Sequence, residues 1–153
     1  MVTVEVWERG SRLAGLLREL LPGTVGEKVR IVPAGERRAD LVVLAPGWRG
    51  GERAGDCRCL LVPGNMGGLA GRLHAGWVVS YGLDRRDTLT LSSMERGRLL
   101  AALQRELVTL DGTTVEGQEF PLSNGRGLPP VEALVCVGVQ LLLGVPPEGV
   151  RLE

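Results

Sequence analysis

The residues Ser80-Tyr81-Gly82-Leu83-Asp84-Arg85-Arg86-Asp87 concentrate most of the ligand-binding chemistry in this chain. Two hydroxyls, two guanidinium groups and two carboxylates follow directly on an apolar run. A pair of arginines can clamp a phosphate or carboxylate through the planar fork of N–H donors. The same charges can instead satisfy one another as a solvated Asp/Arg turn. Pro63-Gly64-Asn65-Met66-Gly67-Gly68 is a second candidate, because the amides of a glycine-rich turn at a helix start can hold an anion. Together they give ten candidate contacts: Gly64, Asn65, Gly67, Ser80, Tyr81, Gly82, Asp84, Arg85, Arg86 and Asp87. The ligand expected from the arginines and glycine amides is small and anionic.

Other reactive types lack the company they need. Gly23-Thr24-Val25-Gly26-Glu27-Lys28 invites comparison with a phosphate loop, but such a loop runs from a strand into a helix. Here a leucine-rich helix precedes the segment and a strand follows, so a helix-to-strand turn is expected. Cys57 and Cys59 are two apart, whereas zinc sites use wider spacers and further Cys or His ligands. Only Cys136 and His74 remain, so the thiols are expected in the core and no metal is expected. His74, the single histidine, falls at the end of a short helix expected over Met66 to His74. It has no recognisable nucleophile as partner, and Glu116 and Glu119 read as solvated. No catalytic residue and no cofactor are assigned.

Three apolar runs position the two candidate segments. Leu41 to Leu44, Cys59 to Val62 and Trp77 to Tyr81 are rich in Val and Leu without alternation, and each ends in a small or glycine-rich turn. That pattern suits parallel strands buried on both faces. Ligands of such sheets bind outside the carboxyl ends, where these turns fall. Val2 to Trp7 and Lys28 to Val32 read as further strands. Ser11 reads as the N-cap of a helix carrying Leu13, Leu16, Leu17, Leu20 and Leu21 on one face. The nine residues Trp48 to Asp56 are too short and glycine-rich for an ordinary crossover helix. Thr88 to Leu91 reads as a strand, and Ser92-Ser93-Met94-Glu95 has the spacing of a capping box opening a helix with Leu99, Leu100, Leu103 and Leu107. Asp111-Gly112 suits a type I′ turn between Val108–Leu110 and Thr113–Val115. After a polar connector at 123–128, a possible hinge, Pro129-Pro130 opens a helix that is apolar on nearly every side from Ala133 to Leu143. Such a helix is buried, in this core or against a second chain.

Composition narrows the function classes. The 153 residues are 44% apolar and 24% charged, with 18 basic and 18 acidic side chains, so one globular domain over 1–153 is expected. A neutral chain with 3% aromatic residues offers neither the positive field nor the stacking platforms of nucleic-acid binders. No apolar stretch is long enough for a membrane span. Three cysteines, an odd number, with no signal-peptide character at the start, point to a cytoplasmic, reducing compartment.

The segment Gly127-Leu128-Pro129-Pro130-Val131-Glu132-Ala133-Leu134 through Gly144-Val145-Pro146-Pro147-Glu148 resembles the late central-domain segment of Mur ligases. Trp77-Val78-Val79-Ser80-Tyr81-Gly82-Leu83 is similar to the strand that precedes it in that family. The resemblance implies an α/β sheet with nucleotide and cell-wall-precursor chemistry nearby. The chain departs from the family in lacking its phosphate loop, in carrying Pro129-Pro130 where a His-Asn pair is usual, and in lacking the amino-acid-binding third domain. Val78 to Ser93 also resembles a segment of small bacterial proteins, which implies no activity.

The sequence therefore predicts a single-domain α/β fold: a mainly parallel, Rossmann-like sheet flanked by helices, with an added β-hairpin and a buried C-terminal helix. The expected function is non-catalytic binding of a ligand or protein partner. The alternative is a small enzyme related to ATP-dependent cell-wall ligases, acting on a nucleotide or phosphorylated metabolite. A homodimer or protein partner would use the apolar C-terminal helix. Neither nucleic acid nor membrane is an expected partner.

Overall fold

The computed structural model describes residues 1–35, 38–49, 56–66 and 74–153. Eight strands form one sheet, in the order β10-β7-β6-β5-β4-β3-β1-β2. β1 (Val2–Trp7), β2 (Val29–Pro33), β3 (Ala39–Leu44), β4 (Asp56–Pro63), β5 (His74–Tyr81) and β6 (Leu89–Glu95) run parallel between neighbours. β7 (Arg98–Leu103) adds antiparallel to β6, and β10 (Gln118–Ser123) adds antiparallel to β7. A separate ribbon joins β8 (Leu107–Val108) to β9 (Thr114–Val115). The three apolar runs thus form adjacent central parallel strands, in register Leu41↔Cys59 and Cys59↔Trp77. The expected short helix between β4 and β5 falls largely on residues 67–73, outside the described ones. Its first residue, Met66, ends a single 3-10 turn, Gly64–Met66, and His74 opens β5 instead of closing a helix.

Both long helices cover the same face. α1 (Arg12–Leu20) buries Leu13, Ala14, Leu17 and Leu20, and the C-terminal helix, α3 after the single turn α2 (Gly23–Gly26), spans Pro130–Leu142. They share one core with Val4, Val6, Leu41, Val43, Leu61, Val79 and Tyr81. The opposite face carries a smaller cluster, Trp7, Val42, Leu44, Leu60 and Val62, with Trp48 and Met66 packed on it. Every residue of α3 from Ala133 to Leu142 is buried within the chain itself, so its apolar body is not a surface open to a second copy. This removes the dimer interface expected there. Gly138 lets the helix sit directly on the sheet: a Cβ at that position would lie 3.0 Å from Leu61 Cδ2.

The expected helix after Ser92 is instead a β-hairpin. Leu99, Ala101 and Leu103 bury at a spacing of two, opposite Leu122, Phe120 and Gln118 of β10. Glu95 pairs with Arg98 across Arg96-Gly97, where Gly97 has φ +74°, a conformation that stops a helix but closes a turn. The leucines at 99, 100 and 103 fit both periods, and the pairing with β10 decides between them. The ladder shifts register between Leu91 and Ser93, so Ser92 lies at a bulge. At Asp111-Gly112 only the glycine has positive φ, +88°, so the turn is not type I′. Thr109 N–H donates to the Thr113 carbonyl, enclosing a three-residue loop with Gly112 last. Ser11 makes no side-chain cap. The Glu8 carboxylate takes that place, accepting the Leu13 and Ala14 amides at 2.8 and 2.9 Å.

Gln140 is the one polar residue in the buried span of α3. Its Nε2 donates to the carbonyls of Arg151 (2.8 Å) and Cys136 (3.3 Å), and its Oε1 accepts the Arg151 amide at 3.1 Å. It therefore docks the C-terminal tail on the helix. Gln140→Leu leaves the Arg151 amide and carbonyl without these partners, and a loss of about 1–3 kcal/mol is expected in urea unfolding. A variant as stable as the parent would show that the tail docks without this exchange.

Candidate functional site

β4 and β5 end side by side, with Pro63 paired to Tyr81, and both chains then turn outward over the carboxyl edge. Between these turns and the start of α3 lies a crevice of about 540 Å³. Gly64, Asn65, Tyr81, Gly82, Asp84, Arg86 and Asp87 line it, with Val131 contributed by α3. The parallel sheet thus brings together the two segments that sequence reasoning singled out. Gly67 lies outside the described residues. Arg85 is exposed and its side chain does not line the crevice, while Ser80 sits just behind it.

Several of these groups are committed to the fold. The Tyr81 hydroxyl is fully buried and donates to the Leu44 carbonyl at 2.5 Å, tying β5 to β3 beneath the crevice. Burial raises its pKa above the usual phenolic range. Ser80 Oγ accepts the Thr88 amide at 3.0 Å. Arg86 binds Asp84 through its backbone amide (2.8 Å) and Nε (3.2 Å), and this hydrogen bonding holds the Asp84 carboxyl below the usual range. The internal Asp/Arg turn weighed from the sequence is therefore formed, and the guanidinium expected to clamp an anion already has a carboxylate partner.

Asp87 is different. It is only 4% exposed, and its Oδ2 accepts the Asp84 amide at 3.1 Å. The carboxylate is pressed between two glycines. A Cβ at Gly64 would stand 1.8 Å from Oδ1, and one at Gly82 would stand 2.5 Å from Oδ2. Two residues that sequence reasoning passed over hold this turn from just beyond β7. Gln104 Nε2 donates to the Arg85 and Asp87 carbonyls at 2.7 and 2.8 Å, and Arg105 donates to the Arg86 carbonyl at 2.8 Å. No sequence signal marked them, because 104 and 105 meet 85–87 only once β7 pairs with β6.

A second crevice of about 330 Å³ adjoins the first at Val131. It lies at the carboxyl ends of β1 and β3, where the strand order reverses and open α/β sheets place ligands. Glu8, Arg9, Arg12, Trp48 and Glu132 line it. Arg12 pairs with Glu132 at 3.0 Å, and Glu8 already fills the anion position at the α1 N-terminus. This switch point was not legible before the order 2-1-3 was known.

The remaining reactive types lie elsewhere. His74 begins β5, so it sits at the opposite edge of the sheet from Tyr81, roughly 23 Å away at 3.3 Å per residue. An acid/base role for His74 beside Asn65, Ser80, Asp84 or Asp87 is thereby removed. Cys57, Cys59 and Cys136 are buried and unpaired. Burial pushes their thiols up, to about 11 for Cys57 and about 12 for the other two. Among the described residues no group of three or more His, Cys, Asp and Glu is arranged to hold a metal, and no helix is long and apolar enough to cross a membrane. Comparisons with protein-family models, curated proteins and solved structures find no match to this chain.

Two predictions follow from the geometry. Gly64→Ala drives a methyl group into the Asp87 carboxylate, so a destabilisation of about 1–3 kcal/mol is expected, and it should shrink in an Asp87→Ala background. Equal costs in both backgrounds would mean that the collision is not the cause. The thiols favour the neutral form in the folded state, so their contribution is intact below pH 9, where unfolded cysteine begins to ionise. Stability should fall as pH rises from about 9 towards 12, read by thermal unfolding, and Cys59→Ala should lessen the slope.

Proposed function

We propose that this protein is a non-catalytic binding module whose ligand is a small polar molecule seated at the carboxyl edge of β4 and β5. The observation that carries the reading is the 540 Å³ crevice with a buried carboxylate at its floor, held in place by two obligatory glycine approaches and by Gln104. This is a site built to keep one geometry. The turn 84–88 is hydrogen-bonded to itself, to Ser80 and to Gln104, so little ordering entropy remains to be lost on binding. The described hydroxyls and thiols support binding over turnover, since Tyr81 and Ser80 hold backbone groups and the cysteines are buried with raised pKa values.

Thermal unfolding in the presence of a broad panel of small metabolites tests this reading. A bound compound at a hundred times its Kd adds about 2.7 kcal/mol. Asn65→Trp, at an exposed position on the crevice wall, should abolish the shift without altering the unliganded Tm. A compound that stabilises both proteins equally binds elsewhere, and that result would overturn the assignment.

A further inference from the structure

We infer that the crevice takes a ligand that presents a protonated amine to Asp87, a conclusion that rests on the binding reading above and reverses the sign of charge expected from the arginines. Three observations lead to it. First, Asp87 is nine-tenths buried yet lines the crevice, and one of its oxygens, Oδ1, receives no described hydrogen bond. Second, among the described residues no Lys or Arg pairs with it. Arg86 is close enough to feel its charge but gives its hydrogen bonds to Asp84. Third, among the described residues that line the crevice, two are carboxylates, Asp84 and Asp87, and one is a guanidinium, Arg86.

A buried carboxylate is costly without a cation or a full set of donors. An anionic ligand would worsen that imbalance, whereas an ammonium group relieves it with a charge-assisted hydrogen bond. The glycines serve the same end. Gly64 and Gly82 bring backbone against the carboxylate, so no Cβ stands over its oxygens. An ammonium is a compact point charge that can donate to one such oxygen, whereas the planar guanidinium fork is matched to two acceptors at once.

Glycinamide and its uncharged counterpart glycolamide are the probes, matched in size and compared at equal ionic strength. Glycinamide should raise the Tm with increasing concentration and glycolamide should not. Asp87→Asn keeps an oxygen to accept the Asp84 amide and removes the charge, so glycinamide binding should weaken roughly tenfold or more. Asp84→Asn, on the exposed turn, removes the partner of Arg86 and should weaken glycinamide in the same direction. It keeps the test decisive if Asp87→Asn fails to fold. Equal shifts with both probes, no shift with glycinamide, or unchanged affinity in the variants would overturn the amine assignment. If a neutral or anionic compound binds and Asn65→Trp abolishes its binding, the crevice reading stands and only the chemistry proposed here falls. If glycinamide binds but Asn65→Trp leaves that binding intact, both fall.

Discussion

A helix that is apolar around its whole circumference can exist in water only if other parts of the chain surround it, and that requirement organises this protein. α3 lies across one face of the sheet with Gly138 against Leu61 and Leu89. The rest of its surface meets α1, the hairpin β6–β7 and the docked C-terminal tail. Each buried Leu or Val contributes about 1.5–3 kcal/mol, and α3 supplies Leu134, Val135, Val137, Val139, Leu141 and Leu142 to the shared core. The packing also sets where the helix begins. Pro129 and Pro130 start it at the carboxyl edge, which puts Val131 between the two crevices.

The site inherits its rigidity from that arrangement. Parallel pairing of β4 and β5 brings the Gly64 turn beside the turn at 82–88, and the Tyr81 hydroxyl fastens the floor to β3. From the other side, the antiparallel β6–β7 pair brings Gln104 and Arg105 to the outer carbonyls of the same turn. Asp87 is thus held by backbone from the Gly64 turn and from 82–84, and by the Gln104 side chain on its carbonyl. Its glycine neighbours are explained by contact with the carboxylate more than by turn geometry. A glycine-rich turn that reads as an anion cradle is, in the folded protein, the cradle of an anion the chain supplies itself. Glu8 at the start of α1 repeats the pattern, filling with a side chain the place where a helix N-terminus would otherwise attract a ligand.

Much of this was legible in the residues. The uninterrupted Val and Leu runs marked the central parallel strands, the Pro-Pro pair marked the start of α3, and the two polar segments after β4 and β5 marked the crevice. Legibility failed where one pattern fitted two periods. Leu99, Leu100 and Leu103 suit a helix face as well as a strand, and Ser92 with Glu95 suits a cap as well as a bulge. Pairing of β7 with β10 settled that, and β10 itself, interrupted by Pro121, carries little strand signal of its own.

By itself the sequence determined the α/β class, the burial of α3 and the two chain segments that form the crevice, because hydrophobic periodicity and turn chemistry are local properties. It could not determine the partners of the charges. Whether Arg86 faces a ligand or Asp84, whether Glu8 is exposed or caps α1, and how far His74 lies from Tyr81 depend on strand order and register. Those are set by contacts between residues far apart in the chain. The tertiary structure alone decided that Arg86 is paired within its own turn while Asp87 is buried between two glycines.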